Sequence, residues 1–538
     1  MGMHTYIGAR YVPKFLGTHD PTQVYEALDV VDNGYGTSYI AKIPTPAGTP
    51  LTDTDHWFIY GAASGAIINL QNQIDALRDD MKEIIVTPEM FGAVGDGVTD
   101  DTQAVRDALD FGGNIYVENT YLITDMIKYT KPVNVFGNGE FIVTSGYPLF
   151  FVDSGVSIKG ITFEGFTITG DGVTPTATPA PDNTLMGVIG NYSGANLEDY
   201  HIRNVKFKNV SFGIYLDANN DDGIVRNVSV ENCQFKNIFG SGTGTGNAIA
   251  IANNHAEDGD IAIKNNYIDN CGRHAIYCSY AKGVVISGNT ILNHGLLNGV
   301  SIDNNAAINI ARSENIIVED NFISKCWNIS INVTSIDGNE SHNITVKNNC
   351  ITDKAGNVVD LNVGADTPDS NGLVRNIQIV DNYIEAPATS NVVSLMTISS
   401  GENIHVKGNM FNLLKAAVAY SRAINVYAYG TMNPSANYFI ENNYIVSNPG
   451  IANTRGINLT NDVCTGMIKA TLSNNEILAA VKVYIASSVT NTNLTYGVDP
   501  ITGMPYLSKL APSVGLSDVI TKVNDIIDGL VNHGAMLY

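Results

Sequence analysis

An eight-residue pattern recurs along the middle of the chain and constrains its fold more than any other feature. Between residues 261 and 477 the pattern is written "IAIKNNYI", "VVISGNTI", "IIVEDNFI", "ITVKNNCI", "IQIVDNYI", "IHVKGNMF", "YFIENNYI" and "ATLSNNEI". Three weaker copies come earlier, "ITFEGFTI" at 161, "VKFKNVSF" at 205 and "VSVENCQF" at 228. Positions one, three and eight are mostly apolar, so each copy predicts two short strands around a bend.

The fifth and sixth positions of the octet specify that bend. The fifth residue is Gly, Asn or Asp in all eleven copies, and these residues adopt the left-handed backbone conformation at least cost. The sixth residue is Asn in the last eight copies, so the amides of successive turns can hydrogen-bond as a ladder. Copies recur every 23 to 44 residues without helical signals between them. The sequence therefore predicts a mainly β chain, a right-handed parallel β-helix whose eleven coils span about 50 Å.

Before the repeats lies "FGAVGDGVTDDTQAV", residues 91–105, with three glycines and three aspartates. This composition is typical of phosphate or metal sites, but the run that follows it predicts a short amphipathic helix with Thr99 or Asp100 as N-cap. The apolar face of the helix is Ala104, Val105, Ala108 and Leu109. We interpret the segment as a cap that protects the open end of the solenoid from strand pairing, with metal binding as the alternative.

The segment 91–105 resembles the N-terminal motif of the pectate-lyase superfamily of β-helices, in which that motif precedes the capping helix. Together with the octets, the resemblance covers roughly residues 88–500. It implies a carbohydrate ligand but no particular reaction, because the superfamily includes lyases, hydrolases, epimerases and non-catalytic adhesins. The motifs specific to pectate lyases and polygalacturonases are absent from the sequence, so pectin is not the predicted substrate.

Two short heptad patterns flank the repeats. The first is Ile67, Leu70, Ile74, Leu77, Met81 and Ile84, and the second is Leu516, Ile520, Val523, Ile527 and Leu530. Their 3,4 spacing is that of coiled-coil a and d positions, but each is too short to be stable alone. A helix packed on its own chain is the alternative for either pattern taken singly. Patterns at both ends predict a symmetric oligomer, and isoleucine at a positions favours a homotrimer.

The first sixty residues are strand-like and carry the aromatic residues Tyr25, Tyr35, Tyr39 and Trp57. They resemble small chitin-binding-type β modules, and "YIGARYVPKF" resembles the opening of phage tail proteins. Exposed aromatics could stack on sugars, but a module of this size needs its tryptophan as core. The predicted organisation is therefore a head module (1–62), a coiled-coil linker (63–87), a β-helix body (88–500) and a C-terminal helical trimerisation segment (501–538).

This organisation resembles a bacteriophage tailspike or tail appendage. The resemblance implies a virion protein assembled in the host cytoplasm, attached to other tail proteins through residues 1–62 and binding a host surface glycan. The opening "MGMHTYIGAR" has no secretory pattern, and no apolar run approaches the roughly 20 residues that span a bilayer. A net charge of -23 argues against nucleic acid or an anionic membrane as partner. This negative charge is compatible with a neutral glycan as ligand. An acidic glycan could bind only through local basic side chains.

Cysteines and cofactor motifs add little chemistry. The six cysteines have neither zinc-site spacing nor the density of a disulfide scaffold, so we predict buried thiols. The sequence contains no phosphate-binding loop, dinucleotide fingerprint or zinc signature. No cofactor is predicted, although calcium binding is left open.

Glycan cleavage needs two carboxylates across the scissile bond, or a base and a charge-stabilising cation for elimination. Aligning the strands "GIYLD" and "AIAIA" places Asp217 beside Ala252, and the acids that follow each strand fall on adjacent loops. The catalytic candidates are Asp217, Asp221, Asp222, Glu257 and Asp258. The alternative is that these loops are rich in Asp because they turn.

Neighbouring coils supply candidates for substrate binding. These are His255, Arg273, His274, Tyr280, Asp303, Arg312 and Trp327. A structural role is the alternative for His274, and Trp327 is either a stacking platform for sugar or part of the core. The sequence thus favours a glycoside hydrolase or polysaccharide lyase on a phage tail, with a non-catalytic receptor-binding or structural appendage as the alternative. A free-standing bacterial polysaccharide enzyme is less favoured, and hydrolysis is not distinguished from elimination.

Overall fold

The structure of the chain is a computed structural model. It describes residues 6–7, 10–61, 84–144, 148–170, 189–191, 194–218, 224–238, 246–252, 260–297, 300–301, 306–336, 339–354, 359–365, 374–388, 391–399, 401–428, 437–461, 469–485 and 493–496. The chain divides into two compact units, Met1–Ile85 and Val86–Tyr538. Cys464 lies outside the described residues, and so do all members of the two heptad patterns except Ile84.

The first unit contains a small four-stranded sheet. Its strands are Lys14–Thr18, Asp29–Asp32, Ser38–Ala41 and Trp57–Gly61, and a short hairpin pairs Tyr6–Ile7 with Arg10–Tyr11. Trp57 is 2% exposed and meets the ring of Tyr25 at 5.3 Å, with Val31 and Ala41 in the same cluster. The tryptophan is therefore core, as predicted, rather than a sugar-stacking side chain.

The second unit is built from three long parallel sheets, and each coil contributes one strand to each sheet in turn. Sheet 1 has fifteen strands in the described residues: Ile85–Val86, Gly113–Val117, Val133–Gly137, Ser157–Glu164, Asn196–Arg203, Ile224–Glu231, Ile261–Lys264, Lys282–Ser287, Glu314–Glu319, Ser341–Lys347, Val374–Val380, Glu402–Lys407, Asn437–Glu441, Lys469–Ser473 and Asn493–Tyr496.

Sheet 2 has fourteen strands in the same part of the chain: Asp96–Asp100, Thr120–Ile123, Glu140–Val143, Thr167–Gly170, Lys206–Val210, Gln234–Ile238, Tyr267–Cys271, Thr290–Leu292, Phe322–Ser324, Cys350–Thr352, Tyr383–Glu385, Met410–Leu413, Tyr444–Ser447 and Glu476–Leu478. A small hairpin, Leu296–Leu297 with Val300–Ser301, leaves one of the coils.

Sheet 3 has thirteen strands within the described ranges: Ile127–Lys128, Phe150–Val152, Ile189–Asn191, Ile214–Asp217, Ile249–Ala252, Ile276–Ser279, Ala306–Ala311, Ile329–Ser335, Val359–Ala365, Ser394–Ile398, Arg422–Ala428, Arg455–Asn461 and Val481–Ile485. The three sheets enclose one continuous apolar core of stacked Ile, Val, Leu and Phe. The fold is a right-handed parallel β-helix, as the octets predicted.

Each octet forms the corner between sheet 1 and sheet 2. In the copy at 261, Asn265 has a φ of 55° and links Ile261–Lys264 to Tyr267–Cys271. The next residue of each copy points inward, and its amide Nδ2 donates to the Oδ1 of the following copy at 2.9 to 3.0 Å. The predicted ladder is therefore confirmed. We call it the interior ladder: Asn266, Asn289, Asn321, Asn349, Asn382, Asn409, Asn443 and Asn475.

Two sequence expectations about the coils were wrong. The copy assigned at 205 is out of register, because Ile161 pairs with Tyr200 and Ile168 with Phe207, so the equivalent octet is residues 200–207. Apolar residues alternate in both registers there, and Asn209, with a φ of 53°, occupies another bend. Eleven coils was also too few, because sheet 3 has thirteen strands in the described residues and the first two, Ile127–Lys128 and Phe150–Val152, belong to coils that precede the octet copy at 161.

The segment 91–105 caps the first coil. Helix α1, Thr102–Phe111, buries Ala104, Val105, Ala108 and Leu109, as predicted. Its N-cap is Asp101, one residue later than expected, and the Asp101 carboxylate accepts hydrogen bonds from the backbone of Val94 and Gly95 at 2.7 and 3.1 Å. Asp96 and Asp100 likewise accept backbone N–H bonds within the segment, from Val98 and from Thr102. A short 3₁₀ helix, Pro88–Phe91, precedes it. The acids therefore shape the cap.

The cysteine prediction holds for the residues that the structure describes. Cys233, Cys271, Cys278, Cys326 and Cys350 are free and buried. Burial raises the pKa of each of these thiols to about 12, so they are unreactive near neutral pH. No helix in the described ranges is both long and apolar enough to cross a membrane.

Candidate functional site

The outer face of sheet 3 carries a column of polar side chains that continues from one coil to the next. Each of these residues pairs directly with the equivalent residue on the next sheet 3 strand. We call these residues the central column: Tyr215, Ala250, Tyr277, Asn309, Asn332, Asn362, Thr397, Asn425, Asn458 and Tyr484. Strand geometry explains their direction, since Ile308 and Ile310 on either side of Asn309 belong to the core.

Asparagines of the central column bond to one another but keep hydrogen-bonding capacity. Asn332 donates from Nδ2 to Asn309 Oδ1 at 2.9 Å and accepts from Asn362 Nδ2 at 2.9 Å. Asn458 donates to Asn425 at 2.7 Å. An asparagine side chain has two N–H donors and two acceptor lone pairs. Within the described residues, Asn332 thus retains one donor and one acceptor for a ligand.

The column is recessed although it points outward. Asn309 is 6% exposed, Asn332 8% and Asn458 0%. The residues beside it toward the ends of the strands are small: Ala252, Ser279, Ala311, Thr334 and Gly364. Small side chains beside a row of amides leave a shallow trough along the sheet, and a linear polymer with hydroxyl groups fits such a surface.

Asp217 lies at the N-terminal end of this trough. Its side chain is buried, with 8% exposed, and the Tyr215 hydroxyl donates to its Oδ2 at 2.8 Å. Asn191 holds the backbone of Asp217 by donating to its carbonyl at 2.7 Å and accepting from its N–H at 3.1 Å. Burial, and then the charge of Asp217, raise the pKa of Tyr215. The carboxylate is therefore fixed in place beside a neutral phenol.

Aromatic side chains surround the same end of the trough. Phe151, Phe212 and Ala250 form a buried cluster on the outer face, with Tyr215 and Tyr277 packed against it. Ala250 separates the two tyrosines by two rungs, about 10 Å. Ala250 is 0% and Phe212 1% exposed, so the two tyrosines lie against a closed apolar cluster and not beside an open gap.

His274 lies under this region and not at its surface. It is 2% exposed, stacks on Tyr277 with ring centroids 5.0 Å apart, and accepts from the Ala306 N–H through Nδ1 at 3.2 Å. Burial, and then the charge of Arg273, lower the pKa of His274 to about 3. The imidazole is thus neutral, and its burial favours the structural role that the sequence left open.

The other predicted binding residues do not gather at one place. Arg273 and Trp327 come before their sheet 3 strands, and the backbone N–H of Trp327 donates to the His294 carbonyl at 2.8 Å. Tyr280 and Arg312 follow their strands at the opposite edge, where the guanidinium lies 5.0 Å from the ring centroid. The structure therefore places these candidates along both edges of sheet 3.

The remaining candidates lie outside the described residues. These are Asp221, Asp222, His255, Glu257, Asp258 and Asp303. The predicted alignment of the strands "GIYLD" and "AIAIA" is confirmed, because Asp217 pairs with Ala252 on the next rung. In the described part of the chain, no group of three or more His, Cys, Asp or Glu side chains could hold a metal ion.

Sequence reasoning missed the central column and two arginines near its end, Arg422 and Arg455. The signal was present as a recurring triplet with Asn between two aliphatic residues: "INI" at 308, "INV" at 331, "LNV" at 361, "INV" at 424 and "INL" at 457. Each triplet gives the middle side chain an outward direction. Their alignment in one column follows only when the lengths of all three strands in each coil are known.

Comparison with known proteins agrees with this fold. No family model matches the chain. A capsule K30/K69-specific depolymerase of Klebsiella phage K64-1 is 25% identical over 319 residues, 49% of this chain and 37% of the relative. Plasmin and fibronectin-binding protein A of Streptococcus pneumoniae is 26% identical over 157 residues, 25% of this chain and 22% of the relative. The chain thus spans well under half the length of these curated relatives.

Among solved structures, the pre-mature bacteriophage phi29 gene product 12 superposes with a TM-score of 0.50 at 16% identity, covering 82% of this chain and 60% of the other. The shared architecture is the parallel β-helix. At this level of identity the likeness concerns the fold alone.

Proposed function

We propose that the chain is a bacteriophage tailspike that binds a host surface polysaccharide along the outer face of sheet 3 and depolymerises it. The observation that carries this proposal is the central column, in which outward polar side chains are aligned on successive rungs and Asn332 keeps one donor and one acceptor. A linear glycan presents hydroxyl groups at regular intervals and can follow such a column. The similarity to a phage capsule depolymerase supports the same ligand class.

Cleavage is assigned to the acids around the N-terminal end of the trough. Asp217 is fixed by Tyr215 and Asn191, and the loops that follow it and Ala252 carry Asp221, Asp222, Glu257 and Asp258. Carboxylates on rungs one or two steps apart stand about 5 to 10 Å from each other, which spans the separations of retaining and inverting glycosidases. Crowded carboxylates raise one another's pKa, so one can act as acid while another stays ionised.

The test is incubation of the full chain with an array of purified bacterial capsular and cell-wall polysaccharides, followed by product sizing and an absorbance check for unsaturated ends. We expect shortening of a narrow set of polymers, and Asp222→Asn and Glu257→Gln should each lower the rate about a hundredfold or more. Glu319→Gln, which removes an ion pair with Lys347 on sheet 1, is the matched control and should keep the rate. Wild-type rates in both loop variants would move the site to the region of Asp303 and Arg312.

A non-catalytic receptor-binding appendage is the second candidate. The partial similarity to a pneumococcal protein named for binding plasmin and fibronectin favours it, because that name describes binding and no reaction. Binding to the same polymers with no change in their size would support this candidate over cleavage.

Assembly on the virion is part of the proposal. We infer that residues 1–62 attach the chain to other tail proteins and that the two heptad patterns hold three copies together. Light scattering should report about three times the chain mass of 57.6 kDa, and a monomer at micromolar concentration would contradict the trimer. Replacing Ile74 and Leu77 with Asp should loosen the head end while the β-helix stays folded, because solenoid coils depend mainly on their neighbours.

A further inference from the structure

Two arginines occupy neighbouring rungs at the C-terminal end of the trough. Arg422 and Arg455 begin successive sheet 3 strands and pair in register, so they stand one rung apart, about 4.8 Å. Both are half-buried, and they flank the central column at Asn425 and Asn458. Seven rungs separate Arg422 from Asp217, counted from Ile214–Asp217 to Arg422–Ala428, which is about 34 Å along the same face.

Neither guanidinium meets a carboxylate within 4.0 Å in the part of the chain that the structure describes. Arg422 Nε donates to Ser394 Oγ at 2.9 Å, and Arg455 Nη1 donates to Asn458 Oδ1 at 2.7 Å. Arginines on the sheet 1 face differ: Arg226 contacts Glu198 at 2.7 Å and Arg375 contacts Glu340 at 3.0 Å. The chain has 53 acidic and 30 basic residues, so two adjacent arginines with no carboxylate beside them are unusual. Their charge can be neutralised by a bound anion.

The pair is electrostatically unsatisfied. Burial, and then the neighbouring charge of Arg455, lower the pKa of Arg422. The Nε of Arg455 is buried and has no hydrogen-bond partner among the described residues. Like charges held close together in partly buried positions repel one another, and an anion that accepts from both removes this repulsion. Guanidinium forks match the two oxygens of a carboxylate.

Aromatic rings complete the surface around Arg455. Its guanidinium carbon lies 3.6 Å from the ring centroid of Tyr484 and 5.3 Å from that of Tyr420. Tyr420 is 51% exposed and has a φ of 69°, a left-handed conformation that is rare for a bulky side chain. Strain of this kind persists where the surrounding structure holds it and is concentrated at ligand sites. An exposed phenol ring beside the Arg455 guanidinium offers a stacking surface for a sugar that carries a charge.

We propose that Arg422 and Arg455 bind the carboxylate of an acidic sugar, with Tyr420 against its ring, and that the polysaccharide is therefore an acidic one. This inference rests on the proposed function, because it places the pair in the trough that holds the polymer. The chain as a whole repels polyanions, with a net charge of -23, so the two arginines give a local attraction that selects the polymer's position. The carboxylate can belong to a uronic acid or to an acid-labile pyruvate ketal.

The test uses the full chain on an array of bacterial polysaccharides in three forms: native, carboxyl-reduced with carbodiimide and borohydride, and treated with mild acid to remove ketals. We expect binding only to polymers that carry carboxylates, and loss of that binding on carboxyl reduction. Loss after mild acid assigns the carboxylate to a ketal, and retention assigns it to a uronic acid. Binding to neutral polymers, or to the reduced form at native affinity, would overturn the inference and leave the proposed function standing. Binding to no polymer would count against the proposed function itself.

Variants then locate the contact. Arg422→Gln and Arg455→Gln should each weaken binding of the selected native polymer about 10- to 100-fold, and binding should weaken further as NaCl is raised. Arg375→Gln on the sheet 1 face is the matched control and should bind as the wild type does. Thermal unfolding of each variant checks that the fold is retained. Native affinity in both Gln variants, with their fold intact, would overturn the assignment.

Discussion

Asparagine forms two ladders in this β-helix, and they differ in how completely each amide is used. In the interior ladder, Asn321 makes four hydrogen bonds: its Nδ2 donates to Ile286 O and Asn349 Oδ1, and its Oδ1 accepts from the N and Nδ2 of Asn289. In the central column, Asn332 makes two. The same residue type in the same repeat can therefore close a corner of the fold or leave half of its capacity for a ligand.

This difference predicts opposite results from the same substitution. Among single substitutions, breaking the interior ladder should have the largest effect on stability. Asn321→Ala or Asn382→Ala leaves buried donors and acceptors on the neighbouring rungs without hydrogen-bond partners. Each substitution should lower the free energy of unfolding by about 1 to 3 kcal/mol. Thermal unfolding measures the loss, and polymer binding by the folded fraction should remain. Unchanged stability in both variants would mean that the interior ladder does not hold the coils.

Acid should also lower stability, through two buried histidines, His274 and His294. Burial lowers the pKa of His274 to about 3 and that of His294 to about 4. Between pH 4 and 6.5 the unfolded chain therefore binds more protons than the folded chain, so stability falls as pH falls through this window. Each histidine should cost about 2 kcal/mol between pH 6.5 and 5, since one pKa unit corresponds to about 1.4 kcal/mol.

The measurement is the unfolding temperature at pH 7.5, 6 and 5. His294→Gln removes one of the two histidines whose pKa is lowered most and should make the dependence clearly shallower. A wild-type chain whose stability is constant across this range would show that these imidazoles are not held neutral in the folded state.

In the central column, substitution should change binding more than stability. Asn332→Ala removes two hydrogen bonds, half the number that Asn321 makes, so we expect a smaller stability loss of about 1 kcal/mol and roughly tenfold weaker binding of the polymer. Isothermal titration and thermal unfolding of the same preparation separate the two effects. A large stability loss with native binding would make the column structural, like the interior ladder.

A third row of asparagines provides the smallest expected effect. Asn315, Asn343, Asn376, Asn403 and Asn437 bond in sequence on the sheet 1 side, at 3.0 to 3.4 Å, and most are exposed. Asn376 has a φ of 54°, so Asn376→Gly keeps the backbone unstrained while deleting the amide. We expect stability within about 0.5 kcal/mol of the wild type and unchanged polymer binding, because water replaces exposed hydrogen bonds.

Local residues predicted the corners of this fold better than its faces. The left-handed position and the inward asparagine sit side by side in each octet, so eight residues define the corner and the interior ladder. The third strand of each coil lies outside the octet, at variable distance from it. The weak copy at 205 was placed in the wrong register because Val205, Phe207 and Val210 alternate as convincingly as the true octet does.

For the site, the sequence predicted one pairing and missed the rest. Asp217 and Ala252 end two similar strands, "GIYLD" and "AIAIA", and their alignment was readable. Arg422 and Arg455 meet only because the coils between them close with matched lengths, and nothing near either residue marks it as a partner of the other. Asn309 and Asn332 are flanked by aliphatic residues in "AINIA" and "SINVT", which is ordinary strand alternation until the register is known.

The direction of the amides along the two ladders has an electrostatic consequence. In the interior ladder each Nδ2 points toward the C-terminal coils, from Asn266 to Asn475, whereas in the central column Asn332 and Asn458 donate toward the N-terminal coils. Aligned amides add their dipoles, so the dipoles of the two rows point in opposite directions along the axis. Asn458 is the last asparagine of the central column, and Arg455 donates to its Oδ1, so a positive charge lies at the negative end of that row.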